Sequence, residues 1–312
     1  MADSGMQANL TDTFLTHLMS EAPAFAKRVH DTERRHPALF RELSEPMLGW
    51  ARQVIGENWC DTLTSGYAAV LMDTNRGQSE YEREKHYKCS SYDEVFARTY
   101  DDPDFMSYYH WGVYVTTFAW EHQLLLFDFF LRHFIAPLRE GGSPGRLLDL
   151  GCGSGIWSLL TLGRVDGWHS TMVDISKTSI ELSRQTIACT GLSARTDLCE
   201  ADARKFRSDS VFDAGISCFL LEHLEQPLEL LKSLAAALGE RKTAFVTTAL
   251  TSADAGHIFE FRRESEVLEL AEEAGFRVVA AYSTTPPTTP AKAFFAPRSI
   301  ALVLQKRAGE YW

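Results

Sequence analysis

At 312 residues the chain stands at the upper edge for one compact core, so one large domain or a core with an accessory segment is expected. Its formal net charge of −11 argues against a nucleic-acid backbone as partner, which requires clustered Lys and Arg, and fits a folded acidic protein acting on small molecules. The six cysteines, Cys60, Cys89, Cys152, Cys189, Cys199 and Cys218, form no C-x-x-C pair or metal-ligand spacing, so no metal site is expected and free thiols in a reducing compartment are.

Residues 1–5 show no basic stretch followed by an apolar core, which predicts a cytoplasmic protein without a secretory signal. Residues 1–140 read as a mostly helical cap. Leu10, Phe14, Leu15, Leu18 and Met19 recur at helical spacing, and Phe40, Leu43, Met47 and Leu48 mark another amphipathic segment. Residues 74–91 turn charged and tyrosine-bearing and read as a loop. Asp101-Asp102-Pro103-Asp104 signals a helix start, followed by the densest aromatic stretch: Phe105, Tyr108, Tyr109, His110, Trp111 and Tyr114. A helix is expected over 123–138. The most apolar run, 120–135, is broken by Glu121, His122, Asp128, Arg132 and His133, too polar for a membrane span. Residues 140–145, rich in glycine, form the seam to the next unit.

From Arg146 the pattern alternates. Strands are expected at 146–150, 170–174, 196–200, 212–217 and 242–250, with helices at 155–162, 177–190, 227–238 and 267–274 between them. Two more strands, 276–282 and 298–305, have no helix between them and suggest a closing antiparallel pair. The whole predicts an α/β fold with a doubly wound, mostly parallel seven-stranded sheet over 146–312.

The most informative stretch runs Leu148-Asp149-Leu150-Gly151-Cys152-Gly153-Ser154-Gly155. An apolar run ends in an acid, and glycines at alternate positions lead into a helix, which reads as strand, tight turn and helix start with free amides facing a ligand. The spacing D-x-G-x-G-x-G departs from the dinucleotide pattern G-x-G-x-x-G, and the Asp149 carboxylate would repel a pyrophosphate but attract an ammonium. About twenty residues on, Asp174 ends the second strand, where a carboxylate meets ribose hydroxyls in nucleotide-binding α/β units.

The glycine stretch with the elements after it resembles motif I of the class I S-adenosylmethionine-dependent methyltransferases, with a Rossmann-like fold. The resemblance covers about 146–305. It implies S-adenosylmethionine as cofactor and a small-molecule acceptor. By the same resemblance Gly151, Gly153 and Gly155 form the cofactor turn, Asp174 binds both ribose hydroxyls and Ile175 packs on adenine. Asp202 and Ala203 form the adenine-contacting turn, and the backbone of Cys218 and Phe219 lines the sulfonium side. Glu222 and His223 offer either an acid–base pair or the packing of a helix start, and His257 either substrate contact or packing. Tyr108, His110, His223 and His257 are the candidates for catalysis. Tyr109, Trp111 and Tyr114, with Tyr81 and Tyr92 from the preceding segment, offer either core packing or an aromatic lid over the sulfonium.

More loosely, the aromatic cap resembles the azetidine-2-carboxylate synthases of the same fold. In that alternative the α-amine of S-adenosylmethionine closes its own aminobutyrate arm and releases 5′-methylthioadenosine. No nucleic acid or membrane partner is expected, and the chain is expected to be a monomer or a homodimer.

Overall fold

The computed structural model describes residues 9–98, 103–254, 256–287 and 296–308. Its first part is helical: α1 (Leu10–Glu21), α2 (Pro23–Arg35), α3 (Pro37–Ile55), α4 (Trp59–Glu84), α5 (Tyr92–Arg98), α6 (Pro103–Ala119) and α7 (Glu121–Phe130), a π-turn at Leu131–Ile135, then α8 (Ala136–Glu140). Prolines stand at the first turn of α2 and α3, where a missing N–H leaves no bond unmade. Asn9 caps α1 by accepting from Thr11 N–H at 2.9 Å.

Two expectations change here. The loop expected at 74–91 is helix as far as Glu84, because Tyr67, Val70, Leu71 and Tyr81 recur at helical spacing and are buried, leaving the charged residues on the other face. The chain turns at Lys85, in left-handed conformation at φ 66°. The helix expected over 123–138 begins at Glu121 and is interrupted by the π-turn. Asp101 and Asp102 of the expected helix start lie outside the described residues.

The second part carries β1 (Arg146–Leu150), α9 (Ile156–Leu162), β2 (His169–Asp174), α10 (Lys177–Ala188), β3 (Thr196–Glu200), β4 (Phe212–Cys218), α11 (Pro227–Ala237), β5 (Leu238–Leu250), α12 (Glu264–Glu273), β6 (Phe276–Thr284) and β7 (Arg298–Lys306). They form one seven-stranded sheet in the order β3-β2-β1-β4-β5-β7-β6. Strands β1 to β5 pair in parallel, and β7 runs antiparallel between β5 and β6. The order reverses between β1 and β4, leaving a crevice at their carboxyl ends.

One face of the sheet packs on α11 and α12 through Leu230, Leu234, Val267 and Ala271. On the other, Phe245 of β5 meets Phe130 (centroids 4.9 Å), Trp157 (5.6 Å) and Phe134 (5.9 Å), so the helical segment and the sheet share a continuous core. Gly66 of α4 lies against α6, where a Cβ would come within 2.7 Å of the Tyr108 carbonyl oxygen. That crossing sets how α6 is rotated above the sheet. Among the described residues no helix is long and apolar enough to cross a membrane.

Truncating the fully buried Phe245 removes the ring shared by both layers, and Phe245→Ala is expected to lower unfolding free energy by about 3–5 kcal/mol in chemical denaturation. A loss below about 1 kcal/mol would show that the layers are not held together through this ring.

Candidate active site

The turn after β1 is tied to β2 by its own backbone. Gly151 and Cys152 both donate N–H to the Val173 carbonyl, at 2.8 and 3.0 Å, and Gly155 donates to Cys152 at 2.8 Å. Gly153 donates to the Asp174 carboxylate at 2.9 Å. The amides expected to face a ligand are therefore consumed internally at these four positions. Gly153 adopts φ +54° with no atom within 4 Å of where a Cβ would stand, whereas at Gly151, φ +77°, a Cβ would strike Leu220. Conformation favours glycine at both, and at Gly151 a side chain would in addition force Leu220 to shift.

The second oxygen of Asp174 accepts from Ser176 N–H at 2.8 Å. Burial raises this carboxyl above its ordinary range despite these donors. Asp149 is more deeply placed. It is 2% exposed, accepts from the Ser158 hydroxyl at 2.7 Å and is pushed up to about 7 by burial. Asp149 is therefore set behind the cavity wall rather than lining it.

A cavity of about 650 Å³ opens at the crevice between β1 and β4. Gly151, Gly153, Asp174, Ile175, Cys218 and Phe219 line its sheet side, and Ile175 is 47% exposed there. Phe219 adopts φ 53°, held by its N–H to the carbonyl and hydroxyl of Thr247 at 3.0 and 3.1 Å. Such strain in a residue other than glycine recurs where a backbone is fixed for a ligand.

The opposite wall comes from the helices. Val70 and Thr74 of α4 and Tyr109, His110, Val113 and Tyr114 of α6 line the cavity, and Tyr92 joins them from α5. Tyr109 donates to Asp254 at 3.1 Å and Tyr114 to the Met47 carbonyl at 2.7 Å. Burial lowers His110 to about 4, and its Nε2 is buried with no hydrogen-bond partner among the described residues.

Several expected residues stand outside the wall. Gly155 packs under α9 near Ser183, Tyr108 sits at the α4–α6 crossing, and Trp111 packs edge-on to Tyr114 in the core. Tyr81 is buried in a separate cluster and donates to Glu260 at 2.5 Å. Ala203 is buried, and the Asp202 carboxylate is occupied by Arg204 at 3.0 and 2.8 Å, which holds it below its ordinary range. Trp120, His122 and Asp254 do line the cavity and had no spacing to mark them.

At the far end of the cavity lie Glu222, His223 and His257, which offer one ligand atom each, all within 4.8 Å of one another. Glu222 and His223, expected as an acid–base pair or as packing, and His257, expected as a substrate contact or as packing, are thus brought together from the segments after β4 and β5. Burial keeps both imidazoles below their ordinary value and raises Glu222.

A family model described as a methyltransferase domain matches residues 120–281. The chain belongs to that family. Its cofactor is S-adenosylmethionine, as in the class I enzymes, and the open space at Gly153 beside a half-buried Asp174 and an exposed Ile175 fits such a ligand. The chain is 27% identical over 124 residues to a ubiquinone biosynthesis O-methyltransferase of Aeromonas salmonicida, a match covering 37% of this chain and 51% of the relative. It is 37% identical over 81 residues to the ribosomal RNA small subunit methyltransferase C of Aeromonas hydrophila, covering 24% of each. The chain thus spans about a quarter to a half of the length of these curated relatives. Its fold is similar to that of the S-adenosylmethionine-dependent methyltransferase SibL, with a TM-score of 0.50 and 16% identity over 86% of this chain and 74% of that one.

The raised Asp149 carboxyl makes a pH prediction. Between its ordinary value near 4 and about 7 the folded protein keeps a proton that the unfolded chain has released, so this residue's contribution to stability falls as pH rises through that window. Asp149→Asn lacks this slope and is expected to gain on the wild type between about pH 5 and pH 8 in denaturant titrations. A stability difference that stays constant across that range would contradict the assignment.

Proposed function

We propose that the chain transfers the methyl group of S-adenosylmethionine to a small-molecule acceptor. The observation that carries this reading is one cavity of about 650 Å³ with Asp174 and Ile175 on its sheet side and His110 on its helical side. That volume falls within the ~300–1,000 Å³ of small-ligand pockets. A polynucleotide would also meet a net charge of −11. One relative is named for ubiquinone biosynthesis and supports a small acceptor, while the other is named for ribosomal RNA.

Bound in the cavity, the cofactor supplies an electrophilic methyl group on a sulfonium. Asp174 has lone pairs left for the ribose hydroxyls, and Ile175 offers apolar cover for the adenine. The backbone at Cys218 and Phe219 lines the sulfonium side of the cavity, whose wall also includes Tyr109, an aromatic ring of the kind that attracts a cation. Helices of the first 140 residues act as the cap that selects the acceptor. His110, neutral and with its Nε2 unpaired among the described residues, takes the acceptor's proton as the nucleophile closes on the methyl carbon.

Incubation with S-adenosylmethionine, alone and with candidate acceptors, tests the reading through the nucleoside released. S-adenosylhomocysteine that appears only when an acceptor is added supports it. 5′-Methylthioadenosine with a new cyclic amino acid from S-adenosylmethionine alone would overturn it in favour of ring closure of the aminobutyrate arm. His110→Gln is expected to lower kcat by about 10²–10⁴-fold with cofactor affinity retained. Wild-type kcat is expected to lack an inflection near the ordinary imidazole value of about 6.5, since burial holds His110 near 4. An unchanged kcat in the variant would remove His110 from proton transfer.

A further inference from the structure

We propose that Glu222, His223 and His257 form a binding site for a divalent first-row transition metal, open to the cavity, with zinc as its simplest occupant. The three residues present one ligand atom each within 4.8 Å of one another and all line the cavity. Two histidines and a carboxylate are a ligand set that divalent metals accept while leaving coordination positions free.

The surroundings are those of ligands already oriented. His223 Nδ1 lies 2.8 Å from the Gly256 carbonyl and His257 Nδ1 2.6 Å from the Ser252 carbonyl. A carbonyl can only accept, so each Nδ1 carries the proton and each Nε2 is left with a lone pair, the arrangement that outer-shell carbonyls impose on metal-bound histidines. The two rings stand edge to face at 82° with centroids 4.9 Å apart.

Glu222 supplies an independent observation. Its side chain is 0% exposed, yet among the described residues no Lys or Arg pairs with it, and the charge that acts on it is that of His223. It accepts from the Thr248 hydroxyl at 2.8 Å and Ala249 N–H at 3.0 Å, neutral donors that leave its charge uncompensated. Buried carboxylates are ordinarily paired with a cation or bound to a metal. Zinc at about 2.0–2.2 Å from each ligand atom draws the set together by small side-chain rotations.

An open position toward the cavity takes an oxygen or nitrogen of the methyl acceptor and lowers its pKa. That consequence rests on the methyltransferase reading; the metal site itself does not.

The test is titration of chelator-treated, full-length protein with zinc sulfate in the absence of S-adenosylmethionine, followed by calorimetry and by metal analysis after dialysis. About one zinc per chain is expected in the wild type. Glu222→Gln, His223→Ala and His257→Ala are each expected to weaken it by more than a hundredfold, beyond the ~10–100-fold that loss of an outer-shell partner costs. S-adenosylmethionine affinity, measured separately on each variant, reports whether the cavity has stayed folded. Where a variant loses that affinity too, the wild-type protein loaded with cobalt chloride decides. Weak visible bands of nitrogen and oxygen ligation that zinc abolishes support the site, and a sulfur-to-cobalt charge-transfer band overturns it. No zinc bound by the wild type, or equal binding in His257→Ala, would also overturn it. Because zinc is titrated without cofactor, a chain that transferred no methyl group would still show the site, and failure to bind zinc would leave methyl transfer standing.

Discussion

The Asp174 carboxylate is the tie on which the site depends. One oxygen receives the N–H of Gly153 from the turn after β1 and the other receives that of Ser176 at the start of α10, so one half-buried side chain fixes two loops at the carboxyl edge of the sheet. The Val173 carbonyl next to it takes the amides of Gly151 and Cys152. With the turn's donors spent on the protein, its contribution to ligand binding is shape, and the polar recognition falls to Asp174 itself. A carboxylate raised by burial but held by two amides is organised before any ligand arrives.

Burial governs the rest of the chemistry as well. Asp149, Asp174 and Glu222 are all raised, and His110, His223 and His257 are all lowered, in each case with desolvation as the largest cause. Of these, all but Asp149 line the cavity, whose titratable groups thus resist charge, which suits a cationic cofactor whose positive charge disappears on methyl transfer and neutral imidazoles that hold open lone pairs. The covering helices make this possible, because their core is continuous with that of the sheet through Phe245, Phe130 and Trp157.

Much of the sheet was legible because short apolar runs bounded by glycine or acid have few other uses; β1 and β3 begin and end where the pattern places them. The extent of α4 was hidden because Asp73 to Glu84 reads as polar unless one knows that Tyr81 packs inward. At the site, the motif residues Gly151, Gly153, Asp174, Ile175, Cys218 and Phe219 line one cavity with His110, His223 and His257. Local pattern could not tell which rings of α6 face it. The answer depends on the close crossing of Gly66 and Gly112, which places Tyr109, His110, Val113 and Tyr114 in the wall but neither Tyr108 nor Trp111. The meeting of Glu222 and His223 with His257 is a tertiary fact too, since more than thirty positions separate them in the chain.

The most direct measurement is calorimetric titration of S-adenosylhomocysteine into the wild-type protein and into Asp174→Ala. Binding to the wild type, weakened about ten- to a hundredfold in the variant, is the result expected for loss of charge-assisted hydrogen bonds to the ribose. Equal affinity in a variant that is folded by circular dichroism would contradict the placement of the cofactor at Asp174, and with it the assignment of this cavity as the site of methyl transfer.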